Sequence, residues 1–353
     1  MANWKKAFTQ FGHKAEEKFD KLKYDLEKRL GSSKPIQIVP YMGYGTSDEV
    51  WIRGRVLKDK GIKPATDKDA TWDNLLRMYK RFESDEVPGV DIHLEFGDVE
   101  ENLTTDEEGY FETNLRLPHP PDTNRLWHEV RLELLKHEQK ADAVGQILIP
   151  PEKAEFGVIS DIDDTIIKTG ATDLLEMARN TFLKNAMTRL PFDGVGEFYQ
   201  ALQKGTSDKP SNPIFYLSNS PWNLYDLLTN FMKLNNIPES PVLLRDFGLD
   251  EDKFIKDDTH KTRQIHRLLT TYPDLPFVLI GDSGEHDPEI YQQAVKDFPG
   301  RFRAIYIRDV TSEERDNAVK KIAENVSGQG TEMLLVQDTK AAAEHAASQG
   351  LIR

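Results

Sequence analysis

The sequence predicts two folded domains, an antiparallel β-sandwich followed by an α/β domain with a parallel sheet, and an amphipathic helix before both. Three changes of pattern support this fold class. Apolar residues recur every three or four positions up to residue 30, alternate with polar residues from residue 36, and form short unbroken runs after residue 154. These patterns are typical of an amphipathic helix, of half-buried strands and of parallel strands covered on both faces. The predicted segments are therefore residues 1–31, 36–150 and 154–353.

The predicted N-terminal helix combines an apolar stripe with a positive charge. The first thirty residues carry eight Lys or Arg and five Asp or Glu, a net charge of +3, whereas the rest of the chain carries −17. Such a helix packs either on the protein itself or on a membrane surface, with its lysines near anionic headgroups. The sequence leaves both interpretations open. The apolar stripe consists of Trp4, Phe8, Phe11, Ala15, Phe19, Leu22, Leu26 and Leu30.

The composition of the 353-residue chain limits its function. It contains 46 Lys and Arg against 60 Asp and Glu, a formal net charge of −14, and we expect no nucleic-acid partner because such partners need a basic footprint. The absence of cysteine excludes disulfides, thiolate-bound metals and thiol nucleophiles. Neither a secretory signal nor an apolar run of about 18 residues is found. We therefore expect a cytoplasmic protein, with membrane association at the inner face if the helix binds lipid.

Residues 36–150 are predicted to form about six strands that each bury one face. No acid, histidine or serine in this segment occurs in a recognisable catalytic spacing. We therefore expect a binding or positioning domain, with a short helix at residues 74–82. The predicted strands are 36–39, 50–56, 90–96, 111–117, 130–134 and 146–149.

The third segment alternates apolar strands with helices, which predicts a doubly wound parallel sheet. In such sheets ligands bind at the carboxyl ends of the strands. The predicted strands are 156–160, 213–217, 242–244, 277–281 and 303–307, and the predicted helices include 222–234, 262–269, 312–325 and 338–348.

Polar residues follow three of these strands. Asp161 and Asp163 follow the first strand, Ser218 follows the second and Asp282 the fourth, while Lys261 opens a helix. This set suits phosphoryl transfer through an aspartyl phosphate. A carboxylate attacking a phosphate dianion needs a cation between them, and Mg²⁺ prefers oxygen ligands. The candidate metal ligands are the carboxylates of Asp161 and Asp282 and the backbone carbonyl of Asp163. Asp163 is also the candidate general acid and base, and Ser218 and Lys261 are the candidate phosphoryl-binding groups.

These motifs resemble, in order, the four motifs of the haloacid dehalogenase (HAD) superfamily of phosphatases. The strings at 159–165, 216–222 and 281–291 are similar to those of the actin-patch-type phosphatidate phosphatases and their bacterial relatives, as are 40–45, 54–56 and 105–111 in the β-rich domain. The resemblance implies a HAD-like Rossmannoid sheet and Mg²⁺-dependent hydrolysis of phosphatidate to diacylglycerol and phosphate. It also implies that Asp161 is the nucleophile and Asp163 the general acid and base. It further implies that Ser218 and Lys261 bind the phosphoryl group and that Asp282, supported by Asp287, holds the metal.

Residues 172–190 are too few for a large cap domain. A minimal cap leaves the site open, which suits a bulky or membrane-embedded substrate better than a soluble metabolite. Thr165, Asn219 and Ser220 are candidate substrate-binding residues, although each could instead satisfy loop backbone groups. The fungal members carry a proline-rich tail that recruits SH3 domains, whereas the last proline here is Pro299. We therefore expect no SH3-type partner.

Two alternative functions remain at this point. One is a HAD phosphatase for a soluble or protein-bound phosphoester. The other, from a different class, is a non-hydrolytic lipid-binding or assembly module built on a phosphatase scaffold. The intact set of acids argues against the second, because loss of Asp161 or Asp163 would be its simplest signature.

Overall fold

The computed structural model describes residues 35–58, 86–122, 124–135, 140–167, 191–207, 209–245 and 258–353. The predicted N-terminal helix (1–31), the predicted helix at 74–82 and the predicted cap segment (172–190) lie outside the described residues. Within the described ranges, the helices are all too short or too polar to cross a bilayer.

The first domain contributes eight strands, among the described residues, to one mixed sheet. Their spatial order is β1-β3-β2-β8-β7-β4-β5, and β6 pairs with β3. All pairings are antiparallel except that of β2 with β8, which is parallel. The strands are β1 (Ile36–Pro40), β2 (Gly43–Gly45), β3 (Glu49–Lys58), β4 (Asp91–Phe96), β5 (Val99–Thr104), β6 (Tyr110–Arg116), β7 (Trp127–Leu134) and β8 (Asp142–Leu148).

The six predicted strands of this domain are confirmed, and their sheet is mainly antiparallel as predicted, with one parallel pair, β2 with β8. The three-residue strand β2 hydrogen-bonds to both β3 and β8, so the strands on its two sides form one continuous sheet. The sheet nevertheless encloses a single apolar core, to which Val50 and Ile52 of β3 and Leu94 of β4 contribute side chains that are at most 1% exposed. Burial of this apolar area is the main force that stabilises the sheet.

The second domain contains a parallel sheet of six strands within the described residues. Counted from β9, the spatial order of the strands is 3-2-1-4-5-6, which is the order of doubly wound dinucleotide-binding folds. The five predicted strands are confirmed, and β14 at the sheet edge is additional. The strands are β9 (Gly157–Asp161), β10 (Ile214–Pro221), β11 (Val242–Arg245), β12 (Phe277–Asp282), β13 (Phe302–Arg308) and β14 (Met333–Val336).

Helices connect the parallel strands. The predicted helix at 222–234 begins as a 3₁₀ turn at Trp222–Leu224, and Asp338 caps the helix predicted at 338–348, because its Oδ1 accepts a hydrogen bond of 2.8 Å from the Ala341 amide. The helices are α1 (Val195–Lys204), α2 (Tyr225–Leu234), α3 (Asp258–Thr271), α4 (Asp287–Asp297), α5 (Glu313–Ser327) and α6 (Thr339–Ser348).

The two domains share one buried cluster. Tyr41, Tyr44 and Trp51 of the first domain belong to the same apolar core as Phe215 and Trp222 of the second. Hydrogen bonds also cross the boundary: for example, Met42 N donates to the Tyr225 hydroxyl at 2.8 Å, and the Tyr272 hydroxyl donates to the Gly45 carbonyl at 3.1 Å. The first domain is therefore fixed against the sheet that carries the predicted site.

Candidate active site

Three neighbouring strands end at one edge of the parallel sheet. Asp161, the last residue of β9, is opposite Leu217 of β10, so Ser218 lies just beyond it. On the other side, Ser160 pairs with Ile280 of β12, and Asp282 ends that strand. β9 is the strand at which the order of the sheet reverses, which is where open α/β sheets bind ligands. The predicted convergence of these residues is therefore confirmed by the strand register.

Lys261 lies at the centre of the buried polar groups. It is in the first turn of α3 and is 1% exposed. Its Nζ lies 2.6 Å from Asp161 Oδ1, 2.7 Å from Asp287 Oδ1 and 2.8 Å from Glu285 Oε2. Burial alone would lower the pKa of Lys261, but the three carboxylates raise it well above its ordinary value. The lysine is therefore held as an ammonium ion against three acids.

Asp287 connects the lysine to the end of β12. It is the first residue of α4, where the helix dipole favours negative charge, and it is fully buried. Its Oδ1 accepts from Lys261 and its Oδ2 accepts from the Asp282 amide at 3.3 Å. A side chain at Gly281 would overlap this carboxylate. Gly281 is therefore required for the close approach of α4 to the strand.

Asp282 directs one carboxylate oxygen to the following loop. Its Oδ1 accepts from the amides of Gly284 and Glu285 at 2.7 and 3.0 Å. Its Oδ2 is buried and has no hydrogen-bond partner among the described residues. Burial, assisted by the charge of Asp287, raises the pKa of Asp282 to about 8. One oxygen is therefore fixed by the loop while the other is left for a ligand.

Asp163 and Ser218 form a second hydrogen-bonded pair. The Ser218 hydroxyl donates to Asp163 Oδ2 at 3.0 Å and accepts from the Ser220 amide at 3.0 Å. Burial, followed by the charge of Glu285, raises the pKa of Asp163 to about 7. Asp164, which follows, has a φ of 49°, a left-handed conformation that Asp adopts more readily than most residues. The turn there carries the chain away from the strand end.

Several buried oxygens at this edge have no partner among the residues described. They are Asp161 Oδ2, Asp163 Oδ1, Asp282 Oδ2, Thr165 Oγ1, Asn219 Oδ1 and Ser220 Oγ. Buried polar atoms without partners are costly and uncommon. Burial also raises the pKa of Asp161 well above its ordinary range, although Lys261 lowers it. A group of buried carboxylate oxygens of this kind fits an oxygen-coordinated divalent cation.

A second group of carboxylates lies close enough to share an ion. Single oxygens of Asp161, Glu285 and Asp287 lie within 4.8 Å of one another. These oxygens surround the ammonium of Lys261, which already supplies the positive charge. The carboxylate oxygens of this edge that have no hydrogen-bond partner among the described residues belong to Asp161, Asp163 and Asp282.

Three residues of the site have contacts that no sequence motif predicts. Glu285 contacts Lys261, Arg308 Nε donates to the Thr165 carbonyl at 3.2 Å, and Arg315 donates to the carbonyls of Ser283 and Glu285, both at 2.9 Å. Arg308 could have been found, since it follows an apolar strand just as Asp161 and Ser218 do. Arg315 lies in α5, far along the chain, and no local pattern indicates its contacts.

Known proteins match part of this chain. Residues 156–309 match the family described as "Phosphatidate phosphatase APP1, catalytic domain". The chain is 36% identical over 181 residues to "Phosphatidate phosphatase APP1" of Saccharomyces cerevisiae, covering 48% of this chain and 30% of that protein. It is 28% identical over 219 residues to an uncharacterised protein of Schizosaccharomyces pombe, covering 61% of this chain and 35% of that protein. The family resemblance predicted from the motifs is thereby confirmed for this segment, and the chain spans only about a third of these relatives.

Solved structures match the chain weakly. A β-D-glucuronidase of Dictyoglomus thermophilum has a TM-score of 0.21 and 10% identity, over 80% of this chain and 45% of that chain. A carbohydrate acetylesterase of Xanthomonas citri has a TM-score of 0.28 and 11% identity, over 82% of this chain and 76% of that chain.

Proposed function

We propose that this chain, whose residues 156–309 match the APP1-type phosphatidate phosphatase catalytic domain, hydrolyses phosphomonoesters, and that its substrate is phosphatidate. The products would be diacylglycerol and inorganic phosphate. The observation that supports this function most directly is the state of Asp161. One of its carboxylate oxygens is held by Lys261, while the other is buried at the strand edge without a partner among the described residues.

Asp161 is the proposed nucleophile. Its Oδ2 attacks phosphorus, the bond from phosphorus to the ester oxygen breaks, and an acyl phosphate forms on Asp161. Lys261 favours the ionised form of the attacking carboxylate and offsets negative charge on the transferred group. The two other acids on Lys261, Glu285 and Asp287, keep the ammonium charged and fixed in position.

Asp163 is the proposed general acid and base. In the first step it gives its proton to the departing ester oxygen, and in the second step it takes a proton from water. That water attacks phosphorus, releases phosphate and restores the Asp161 carboxylate. Ser218 holds Oδ2 of Asp163, which leaves Oδ1 for the proton transfer.

Mg²⁺ is the proposed cofactor. Asp161 and Asp282 would hold it through their carboxylates and Asp163 through its backbone carbonyl. When bound, the ion offsets the repulsion between a carboxylate nucleophile and a phosphate dianion. Both oxygens of Asp287 are engaged by Lys261 and the Asp282 amide, so its predicted place in the metal site is a supporting one.

The proposed phosphoryl-binding groups are Ser218, Asn219, Ser220 and Thr165. Side-chain oxygens of the last three, which have no hydrogen-bond partner in the described part of the chain, lie in the same loops as Asp163 and Ser218. We also propose that the protein acts as a peripheral enzyme at a membrane surface, through residues 1–31 and an open site. Phosphatidate is embedded in a bilayer, so a HAD-type enzyme that hydrolyses it must reach a headgroup at the interface.

Phosphate release from purified protein tests this function. The wild-type chain should release phosphate from phosphatidate in mixed micelles with Mg²⁺ and lose this activity with EDTA. Asp161→Asn should lower the rate by about 1,000-fold or more. Asp164→Asn is the matched control, because it removes a neighbouring carboxylate and asparagine also tolerates the left-handed backbone at that position.

Two other results would redirect the assignment. Hydrolysis of aryl phosphates without any hydrolysis of phosphatidate would favour a soluble or protein-bound phosphoester as substrate. Binding of phosphatidate vesicles without phosphate release from any ester would favour the non-hydrolytic module.

A further inference from the structure

Strand β3 presents two buried arginines to the second domain. Successive side chains of a strand point to opposite faces, so Trp51, Arg53 and Arg55 share one face while Ile52 and Val56 point into the core of the first domain. Arg53 and Arg55 are 5% and 6% exposed. Buried arginines are rare and need partners for their charge. Their contacts therefore indicate what this face of the sheet does.

Arg55 contacts the turn that follows β10, the strand that carries Ser218. Its Nη1 donates to Asn223 Oδ1 at 3.1 Å, and the Tyr110 hydroxyl donates to the same oxygen at 3.2 Å. Its other nitrogens contact Glu86 and the Glu108 carbonyl, both at 2.8 Å. Hydrogen bonds to three acceptors thereby hold the planar guanidinium in one orientation. Asn223 is thus held by two donors of the first domain.

Arg53 covers the preceding residue of that turn. Its Cζ lies 4.6 Å from the ring centre of Trp222, within the range of a cation–π contact. Glu112 fixes Arg53 through an ion pair of 2.8 Å. Trp222 also stacks on Tyr41, with ring centres 4.9 Å apart and planes at 17°. The indole therefore contacts two side chains of the first domain.

The segment between Ser218 and Trp222 depends on its two ends. The pairing of β10 with β9 reaches only Leu217, opposite Asp161. The pairing with β11 changes register after Leu217 and resumes at Pro221. Among the described residues, positions 218–220 thus belong to no regular ladder. They are anchored by the strand before them and by the turn at Trp222 and Asn223 after them.

We infer that the first domain is a positioning module for the active site, and that Arg53 and Arg55 are positioning residues for Ser218. They act by holding Trp222 and Asn223, which fixes the exit of the 218–220 segment, so that Ser218 is aligned with Asp163 and the phosphoryl group. This inference rests on the proposed phosphatase function. It assigns a role to the 40–45 and 54–56 strings, whose residues Tyr41 and Arg55 contact this turn.

Paired substitutions on the two sides of the contact test the inference. Arg55→Gln, Asn223→Ala and the double variant should each lower kcat for p-nitrophenyl phosphate by about 100-fold, with a smaller change in KM, because misplacement of a group far from the reacting atoms costs this much. The double variant should lose less than the combined losses of the two single variants, since both substitutions remove the contact between Arg55 and Asn223. Arg55→Lys should lower kcat as much as Arg55→Gln does, because lysine lacks the planar guanidinium group with its several fixed N–H donors. Arg116→Gln, an exposed arginine of the same domain (side chain 91% exposed), is the control.

The soluble ester separates this role from lipid binding. If the variants lose activity on phosphatidate but not on p-nitrophenyl phosphate, the first domain binds lipid and the inference is wrong. If they melt at lower temperature but keep the wild-type kcat, the contact is merely structural and the inference is also wrong.

Amide hydrogen exchange provides a readout that does not need activity. Arg55→Gln should raise the exchange rate in peptides covering 218–224 by about tenfold or more while leaving β9 and β12 unchanged. Unchanged exchange there would overturn the inference even if the wild-type protein hydrolysed no ester. An inactive wild type with the expected exchange would instead overturn only the proposed function.

Discussion

The Nζ of Lys261 lies 2.6 Å from Oδ1 of Asp161, and both side chains are buried at the end of β9. A buried ion pair of this kind is a weak source of net stability, because desolvation offsets the Coulomb attraction. Its value here is chemical. The lysine orients one oxygen of the proposed nucleophile and favours its ionised form, and the other oxygen remains available to a phosphate.

Removal of the lysine charge should destabilise the fold as well as the site. Lys261→Met leaves Asp161, Glu285 and Asp287 facing one another without a cation. We expect a loss of about 3–5 kcal/mol in the free energy of unfolding, measured by urea denaturation, together with loss of phosphatase activity. The double variant Lys261→Met/Asp287→Asn should regain part of the stability and none of the activity. Lys296→Met, at an exposed position of α4, serves as control, and equal stability of Lys261→Met and this control would contradict the assignment.

The proposed general acid should matter most for poor leaving groups. Asp163→Asn should slow hydrolysis of an alkyl phosphate by about 100-fold or more, but that of p-nitrophenyl phosphate by less, because p-nitrophenolate leaves readily without a proton. Steady-state rates on the two esters give the comparison. An equal loss on both would indicate that Asp163 acts on the later hydrolysis or on binding instead of on the leaving group.

Stability of the metal-free protein should fall as pH rises, and Mg²⁺ should reverse this. Burial raises the pKa of Asp163 to about 7 and that of Asp282 to about 8. Because these folded-state values exceed the ordinary value of 3.8, the stability that the two groups contribute is fully present below about pH 4 and is lost as the pH rises through about 7 and 8. Mg²⁺ binds the deprotonated acids, so the rise in Tm with Mg²⁺, about 5 °C near saturation, should be larger at pH 9 than at pH 6.

Substitution of the metal ligand provides the control for that experiment. Asp282→Asn should abolish the Mg²⁺-dependent rise in Tm, whereas Asp142→Asn, an exposed carboxylate of the first domain, should retain it. A rise of the same size at both pH values, or in Asp282→Asn, would mean that Mg²⁺ binds elsewhere.

Gly281 should tolerate no side chain. In Gly281→Ala the new methyl group would overlap the carboxylate of Asp287, which would have to move away from Lys261 and the Asp282 amide. We expect a loss of about 1–3 kcal/mol in the free energy of unfolding and a fall in kcat. Gly328→Ala is the matched control, because Gly328 has right-handed helical angles and no neighbour closer than 3.6 Å. Wild-type activity in Gly281→Ala would contradict the proposed role of Asp287.

Much of the candidate site could be predicted from the sequence because the end of an unbroken apolar run shows where a buried parallel strand ends. Unbroken apolar runs stop at Asp161, Ser218 and Asp282, and the carboxyl ends of parallel strands meet at one edge. Lys261 was predicted from its place at the start of a helix. Glu285 was not, since its contact with Lys261 depends on a turn in which Asp282 Oδ1 binds the Gly284 and Glu285 amides.

The strands of the first domain that were missed lack the pattern on which strand prediction depends. β2 has three residues, two of them glycine, and is defined by its backbone pairing with β3 and β8. β5, with the sequence Val-Glu-Glu-Asn-Leu-Thr, is alternately half-buried and exposed at the sheet edge. Only tertiary pairing with β4 makes it a strand.

The shared aromatic cluster has a consequence for synthesis of the protein. Tyr41, Tyr44 and Trp51 leave the ribosome long before Phe215 and Trp222, the residues that cover them in the finished molecule. Until then the nascent first domain exposes an uncovered apolar surface, the kind of surface that chaperones bind and through which partly made chains aggregate. The first domain is therefore expected to become soluble only when the second domain has been translated and covers this surface. Expressed as separate chains, the two domains should be soluble only when they are produced together.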